Sequence, residues 1–103
     1  TPSSAASDVY KRQLRSNVNY AESKINAKQR ELENVEAAIL SAEAALIDRE
    51  TTTERRIILL AELKDLSEDT GRLEAEIRDL YEQRAQHQAE LDNYQASVVD
   101  YGY

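Results

Sequence analysis

From Leu14 onward the apolar residues of the first half of this chain recur in alternating steps of four and three, through Leu14, Val18, Ala21 and Ile25, and then Leu32, Val35, Ile39, Ala42 and Leu46. That spacing holds a narrow apolar stripe on one side of an α-helix and predicts a coiled-coil seam. A second series of the same kind runs through Leu59, Leu63, Leu66, Leu73, Ile77, Leu80, Leu91, Tyr94, Val98 and Tyr101. The two series do not share a phase. Extending the first past Leu46 puts seam positions at Arg49, Thr53 and Arg56 and then misses Leu59 and Leu63.

The break between them is polar from Asp48 to Arg56. Within it Thr51 and Glu54 have the spacing of a capping box, in which a hydroxyl accepts one unpaired backbone N–H and a carboxylate reaches back for another, so a new helix is expected to start there. If the chain reverses at this point, each seam residue of one arm must face a seam residue of the other, and the two residue numbers must add to a constant. They add to 105: Leu14 faces Leu91, Val18 faces His87, Ala21 faces Arg84, Ile25 faces Leu80, Leu32 faces Leu73, Val35 faces Thr70, Ile39 faces Leu66, Ala42 faces Leu63 and Leu46 faces Leu59. The midpoint falls between Thr52 and Thr53, inside the polar run. The expected fold is therefore all-α, a two-helix antiparallel coiled-coil hairpin with the option of pairing into a four-helix bundle. Its expected layout is a frayed segment over 1–7 capped by Ser7 or Asp8, a first helix over 8–50, a turn over 51–53 and a second helix over 54–101. The competing layout is one continuous helix with a discontinuity near the threonines, paired antiparallel with a second chain.

Composition favours the same architecture. Among 103 residues there are two Gly and one Pro, and 32% are charged, a profile of long helices rather than mixed structure. Phe, Trp, Met and Cys are absent, so the interior must be a thin seam of Leu, Ile, Val and Ala, for which a second copy would be useful support. Without cysteine there is no disulfide, thiolate metal site or Cys nucleophile. No run of eighteen apolar residues exists to span a bilayer, and the net charge of −7 argues against general affinity for nucleic acid or anionic membranes. Charge is also unevenly placed. Residues 8–30 carry six bases against two acids, and residues 74–100 carry seven acids against two bases, so a fold-back brings opposite signs together, whereas a parallel in-register dimer would not.

Few residues suggest chemistry. His87 has Glu90 three residues on, but Arg84 stands where the carboxylate of a helical Glu-x-x-His metal motif would be, so a tolerated seam position beside Val18 is the preferred reading. No catalytic constellation, cofactor site or metal site is expected, and the chain is read as non-enzymatic. Lys28, Thr70, Arg84 and His87 occupy seam positions, where polar residues penalise slipped registers. More informative is an apolar stripe off the seam, formed by Ala37, Leu40, Ala44 and Ile47 on the first arm and Ile57, Ile58, Leu60 and Ala61 on the second. Leu40, Ala44, Ile47, Ile57, Ile58 and Leu60 are the candidate self-association or partner face. Tyr10, Tyr94, Tyr101 and Tyr103 are expected at the open end of the hairpin, with Tyr20 facing outward. Gly71 marks either a kink or a close approach.

The function these readings favour is a structural or protein-interaction module that assembles or spaces partners through its helix faces. The partner is expected to be a second copy, as a homodimer, or another helical protein, with no nucleic acid. Two alternatives stand beside it. One is a secreted amphipathic-helix protein that binds lipid or a membrane surface, weakened by the narrow stripe and the negative charge. The other is an excised stalk of a larger protein. Thr1 in place of an initiating Met leans toward a processed, extracellular product.

Overall fold

The structure is a computed structural model that describes the backbone of residues 2–100 and the side chains of residues 7–97. Thr1, Tyr101, Gly102, Tyr103 and the side chain of Val98 lie outside the described residues, and so do the expected roles of Tyr101 and Tyr103 at the open end and of Val98 and Tyr101 in the seam. Two α-helices make up the fold, α1 (Pro2–Ile47) and α2 (Thr53–Asp100), joined as an antiparallel hairpin.

Helix α1 begins six residues before the expected Asp8. The segment expected to fray is helical from Pro2, because proline at a first helical position loses no intrahelical hydrogen bond and has its φ already set. Its other end comes earlier than the expected Glu50. Asp48 leaves the helix, and its Oδ1 accepts the Glu50 N–H at 2.9 Å, a local side-chain bond of the kind that lets Asp compete with helical pairing. The turn accordingly spans Asp48 to Thr52 rather than 51–53.

The cap of α2 also differs from the expected Thr51 and Glu54 pair. Thr51 donates its hydroxyl to the carbonyl of Ala45 at 2.6 Å, closing off the last turn of α1. It is Thr52 whose Oγ1 accepts the Arg55 N–H at 3.1 Å, and the Thr52 carbonyl accepts the first helical bond, from Arg56 N at 3.0 Å. Arg56 completes the junction: Nε donates to Leu46 O at 3.3 Å and Nη2 to Asp48 O at 2.9 Å. A guanidinium from the start of α2 thus pairs with the Leu46 carbonyl in the last turn of α1 and joins the Thr51 N–H on the Asp48 carbonyl just beyond it, where positive charge also suits the helix dipole.

The chain divides into two compact units, each with a piece of both helices. In the unit formed by Thr1–Asn26 and Arg78–Tyr103, the buried residues are Leu14, Val18, Ala21 and Ile25 of α1 and Leu80 and Leu91 of α2. The register there is fixed by Tyr10 and Tyr94, whose rings meet edge to face with centroids 4.9 Å apart. In the unit Ala27–Ile77, Ala42, Leu59, Leu73 and Ile77 are buried, while Leu32, Val35, Ile39, Leu46, Leu63 and Leu66 are half-buried. There the register is marked by Lys28 Nζ, 2.8 Å from Glu76 Oε2. Both cross-arm pairs have residue numbers adding to one less than the expected 105, so the seam alignment holds to within a single residue.

Candidate interaction surface

In an antiparallel helix pair, a residue immediately before a seam position turns toward one flank of the pair, and a residue immediately after it turns toward the other. The Ala27–Ile77 unit shows this sorting directly. Ala38, Ser41 and Ala45 of α1 and Arg55, Glu62 and Asp65 of α2, each one residue ahead of a seam position, line one open depression whose floor is Ala42, Leu59 and Leu66. The residues that follow seam positions therefore share the opposite flank. These are Leu40 and Ile47 on α1, and Ile57 and Leu60 on α2.

All four are well exposed, at 68% for Leu40, 85% for Ile47, 64% for Ile57 and 58% for Leu60. Ala37, Ala44 and Ala61, on the outer faces beside them, are exposed as well. Of the six residues singled out from the sequence as a contact face, Leu40, Ile47, Ile57 and Leu60 fall together on this flank, with Ala44 at its edge. Ile58 does not join them. It is 50% exposed but precedes Leu59, so it belongs with Arg55 and Glu62 beside the depression. The apolar stripe gave no means of separating the two flanks until the phase of the α2 seam was set against it.

The charges on the apolar flank are simply arranged. On the α1 side Glu33, Glu36 and Glu43 each follow a seam residue, and on the α2 side Lys64 and Glu74 do. None of the five has an ion-pair partner among the described residues. Gly71 follows the seam residue Thr70 and lies on this same flank. A Cβ built on it would have no neighbour within 4 Å. The close approach considered from the sequence is therefore not made by this chain upon itself.

Of the polar residues at seam positions, Thr70, Arg84 and Lys28 are accommodated locally, whereas the buried Nδ1 of His87 has no hydrogen-bond partner among the described residues. The Thr70 hydroxyl donates to Leu66 O at 2.9 Å. The Arg84 guanidinium lies over the Tyr81 ring, 4.9 Å from its centroid. Lys28 bridges to Glu76, which also accepts from Arg72 at 3.1 Å. The hydrogen bond with Glu76 raises the Lys28 pKa, with a smaller contribution from the nearby Glu31 carboxylate. Conversely, the Glu76 carboxyl is lowered, first by its hydrogen bond with Lys28 and then by that with Arg72. This cross-arm ion pair is not among the contacts expected from the sequence, although Lys28 and Ile77 are both seam positions whose neighbours carry opposite charge.

His87 is half-buried, its Nδ1 3.9 Å from Glu90 Oε2. Among the described residues no group of three or more His, Cys, Asp or Glu side chains is placed to hold a metal ion, and no helix is long and apolar enough to cross a membrane. Tyr20 is 63% exposed, with Lys24 Nζ 4.7 Å from its ring centroid. No family model matches the chain, and no curated protein or solved structure is similar to it.

Proposed function

We propose that the protein is a non-enzymatic interaction module, a coiled-coil hairpin that assembles or spaces other components through the flank of its tip bearing Leu40, Ile47, Ile57 and Leu60. The observation that carries this reading is the exposure of four large aliphatic side chains on one flank of one unit. Scattered single apolar residues are ordinary on a protein surface, but a contiguous group of this size is the kind of patch that marks a contact site. The hairpin does not use these side chains for its own seam, which is already supplied by Ala42, Leu59, Leu73 and Ile77 in the same unit.

The test is to replace Leu40, Ile47, Ile57 and Leu60 together by Gln and compare the variant with the parent at high dilution. A contact surface predicts that helicity and melting temperature stay close to those of the parent, while association with whatever the face binds is lost. Collapse of the helical signal in the dilute variant would show that the flank belongs to the hairpin's own core, and the reading would fail.

A further inference from the structure

We infer that the occupant of this flank is a second copy of the same chain, packed face to face with its tip at the same end, so that α1 of each hairpin lies on α2 of the other. The inference rests on the contact-surface reading above and adds to it the partner and its orientation. Three independent features of the flank point the same way.

The first is self-complementarity of the apolar group. Leu40 and Ile47 sit on α1 and Ile57 and Leu60 on α2, and a two-fold axis along the hairpin lays the first pair of one copy over the second pair of the other. Because α1 and α2 run in opposite directions, every neighbouring pair in the resulting four-helix bundle is antiparallel, a common up-and-down arrangement. Ile47 and Ile57 lie at the same height, as do Leu40 and Lys64, by the register that Lys28 and Glu76 define. The apolar pair at matched height on both arms, Ile47 with Ile57, is what such an axis requires, and Leu40 and Leu60 lie about one helical turn apart along it.

The second is charge. Around the apolar group the acids of this flank, Glu36 and Glu43, are on α1 and its unpaired cation, Lys64, is on α2, while farther from the tip each arm carries one acid, Glu33 on α1 and Glu74 on α2. With tips at the same end, Glu43 and Glu36 of one copy each come within about one helical turn, ~6 Å along the axis, of Lys64 in the other. With tips at opposite ends and Leu40 of one copy over Ile47 of the other, α1 lies on α1 and Glu43 comes beside its own counterpart. Charge therefore selects the first orientation over the second, as it selects partners at the edges of other coiled coils.

The third is Gly71. A glycine inside a helix is unfavourable relative to alanine, and nothing in the hairpin occupies the space its missing Cβ leaves. It lies on the flank in question, two seam steps beyond Lys64. A partner helix carrying Glu33 and Glu36 would pass at that height and account for the missing side chain.

The chain contains no cysteine, so single cysteines report contacts cleanly. Sedimentation equilibrium over a wide concentration range should show a monomer and dimer in exchange. On oxidation, a mixture of Ile47→Cys and Ile57→Cys chains should form a disulfide-linked dimer that neither forms alone. Gly71→Ala, which keeps the apolar face intact, should weaken the dimer by about tenfold or more through overpacking while raising the melting temperature of the dilute monomer. Linkage between Leu40→Cys and Ile47→Cys chains instead would mean opposite-end packing and overturn the orientation. A chain that stays monomeric would overturn the inference altogether while leaving the contact-surface reading standing; recovery of that monomer on phosphatidylcholine vesicles would then give the face to lipid, and its absence to a different protein. Open-ended growth beyond the dimer would overturn it as well, since a two-fold contact closes on itself.

Discussion

Truncating Leu73 and Ile47 to alanine, one at a time, separates the seam from the exposed flank. Leu73 is 1% exposed, the most completely buried side chain described, and its removal from the seam opposite Leu32 leaves a cavity that two helices can only partly close. Substitutions of this kind cost about 2–5 kcal/mol, a large share of the ~5–15 kcal/mol that stabilises a typical domain. Ile47 is 85% exposed. About one seventh of its burial free energy of ~1.5–3 kcal/mol is realised in the single hairpin, or roughly 0.2–0.5 kcal/mol, and alanine's better helix propensity returns a similar amount. At micromolar concentration, urea unfolding followed by far-ultraviolet circular dichroism should therefore show a midpoint lowered by about 1–2 M for Leu73→Ala and hardly moved for Ile47→Ala. At high concentration the second variant should separate from the parent. In a two-fold dimer the loss of about 2 kcal/mol per site is felt twice, so dissociation should rise by about a thousandfold. Equal destabilisation of the dilute protein by the two substitutions would refute the division of the apolar residues into seam and contact face.

Three further outcomes follow from the tip and the cross-arm ion pair. Thr52→Ala removes the acceptor for the Arg55 N–H and should cost about 1 kcal/mol, whereas Glu54→Gln, outside the cap, should cost much less; thermal melts of the two variants decide which threonine caps α2. Arg56→Lys keeps the charge but cannot reach Leu46 O and Asp48 O together, so amide hydrogen exchange should accelerate in the last turn of α1 and not in the middle of either helix. For Lys28 and Glu76 the signs are opposite. The lowered Glu76 contributes stability above its unfolded-state pKa that is lost as pH falls through the folded value, and the raised Lys28 contributes stability below its unfolded-state pKa that is lost as pH rises through the folded value. The destabilisation of Glu76→Gln relative to the parent should then be greatest near neutral pH and vanish in acid; a difference that persists unchanged in acid would remove the carboxylate from the account.

The seam was legible because its signal is geometric and repeated. Steps of four and three from Leu14 to Leu46 and again from Leu59 to Leu91 allow antiparallel registers seven residues apart, the polar run from Asp48 to Arg56 favours the one adding to 105, and the Tyr10–Tyr94 and Lys28–Glu76 contacts fall on it to within a residue. The ends were less legible because they are decided by single hydrogen bonds. Thr51, Thr52 and Thr53 are chemically identical, and the capping-box spacing to Glu54 favours the first of them. What moves the cap to Thr52 is that the Thr51 hydroxyl finds Ala45 O, a partner six residues back that no local rule names. At the other terminus small polar residues read as fraying, yet Pro2 opens a helix, since a weak helical segment joined to a long one needs no nucleation of its own.

The apolar stripe shows why the contact face was only half visible. A stripe off the seam is detectable from periodicity alone, but its two arms can be assigned to one flank or to both only when the phase of each seam is known. Leu40 and Ile47 follow Ile39 and Leu46, Ile57 and Leu60 follow Arg56 and Leu59, and Ile58 precedes Leu59. That one-residue difference sends Ile58 to the side of Ala38 and Ala45 and leaves the other four together with Lys64, Glu43 and Gly71. The tip thus has two unlike flanks. One offers small residues over a shallow depression, and the other offers large ones, with separated charge and a glycine that the hairpin itself has no packing reason to keep. A chain whose seam is already complete in itself gains nothing in stability from large aliphatic side chains left in water, and their concentration on one flank supports the proposal that this flank is a contact surface.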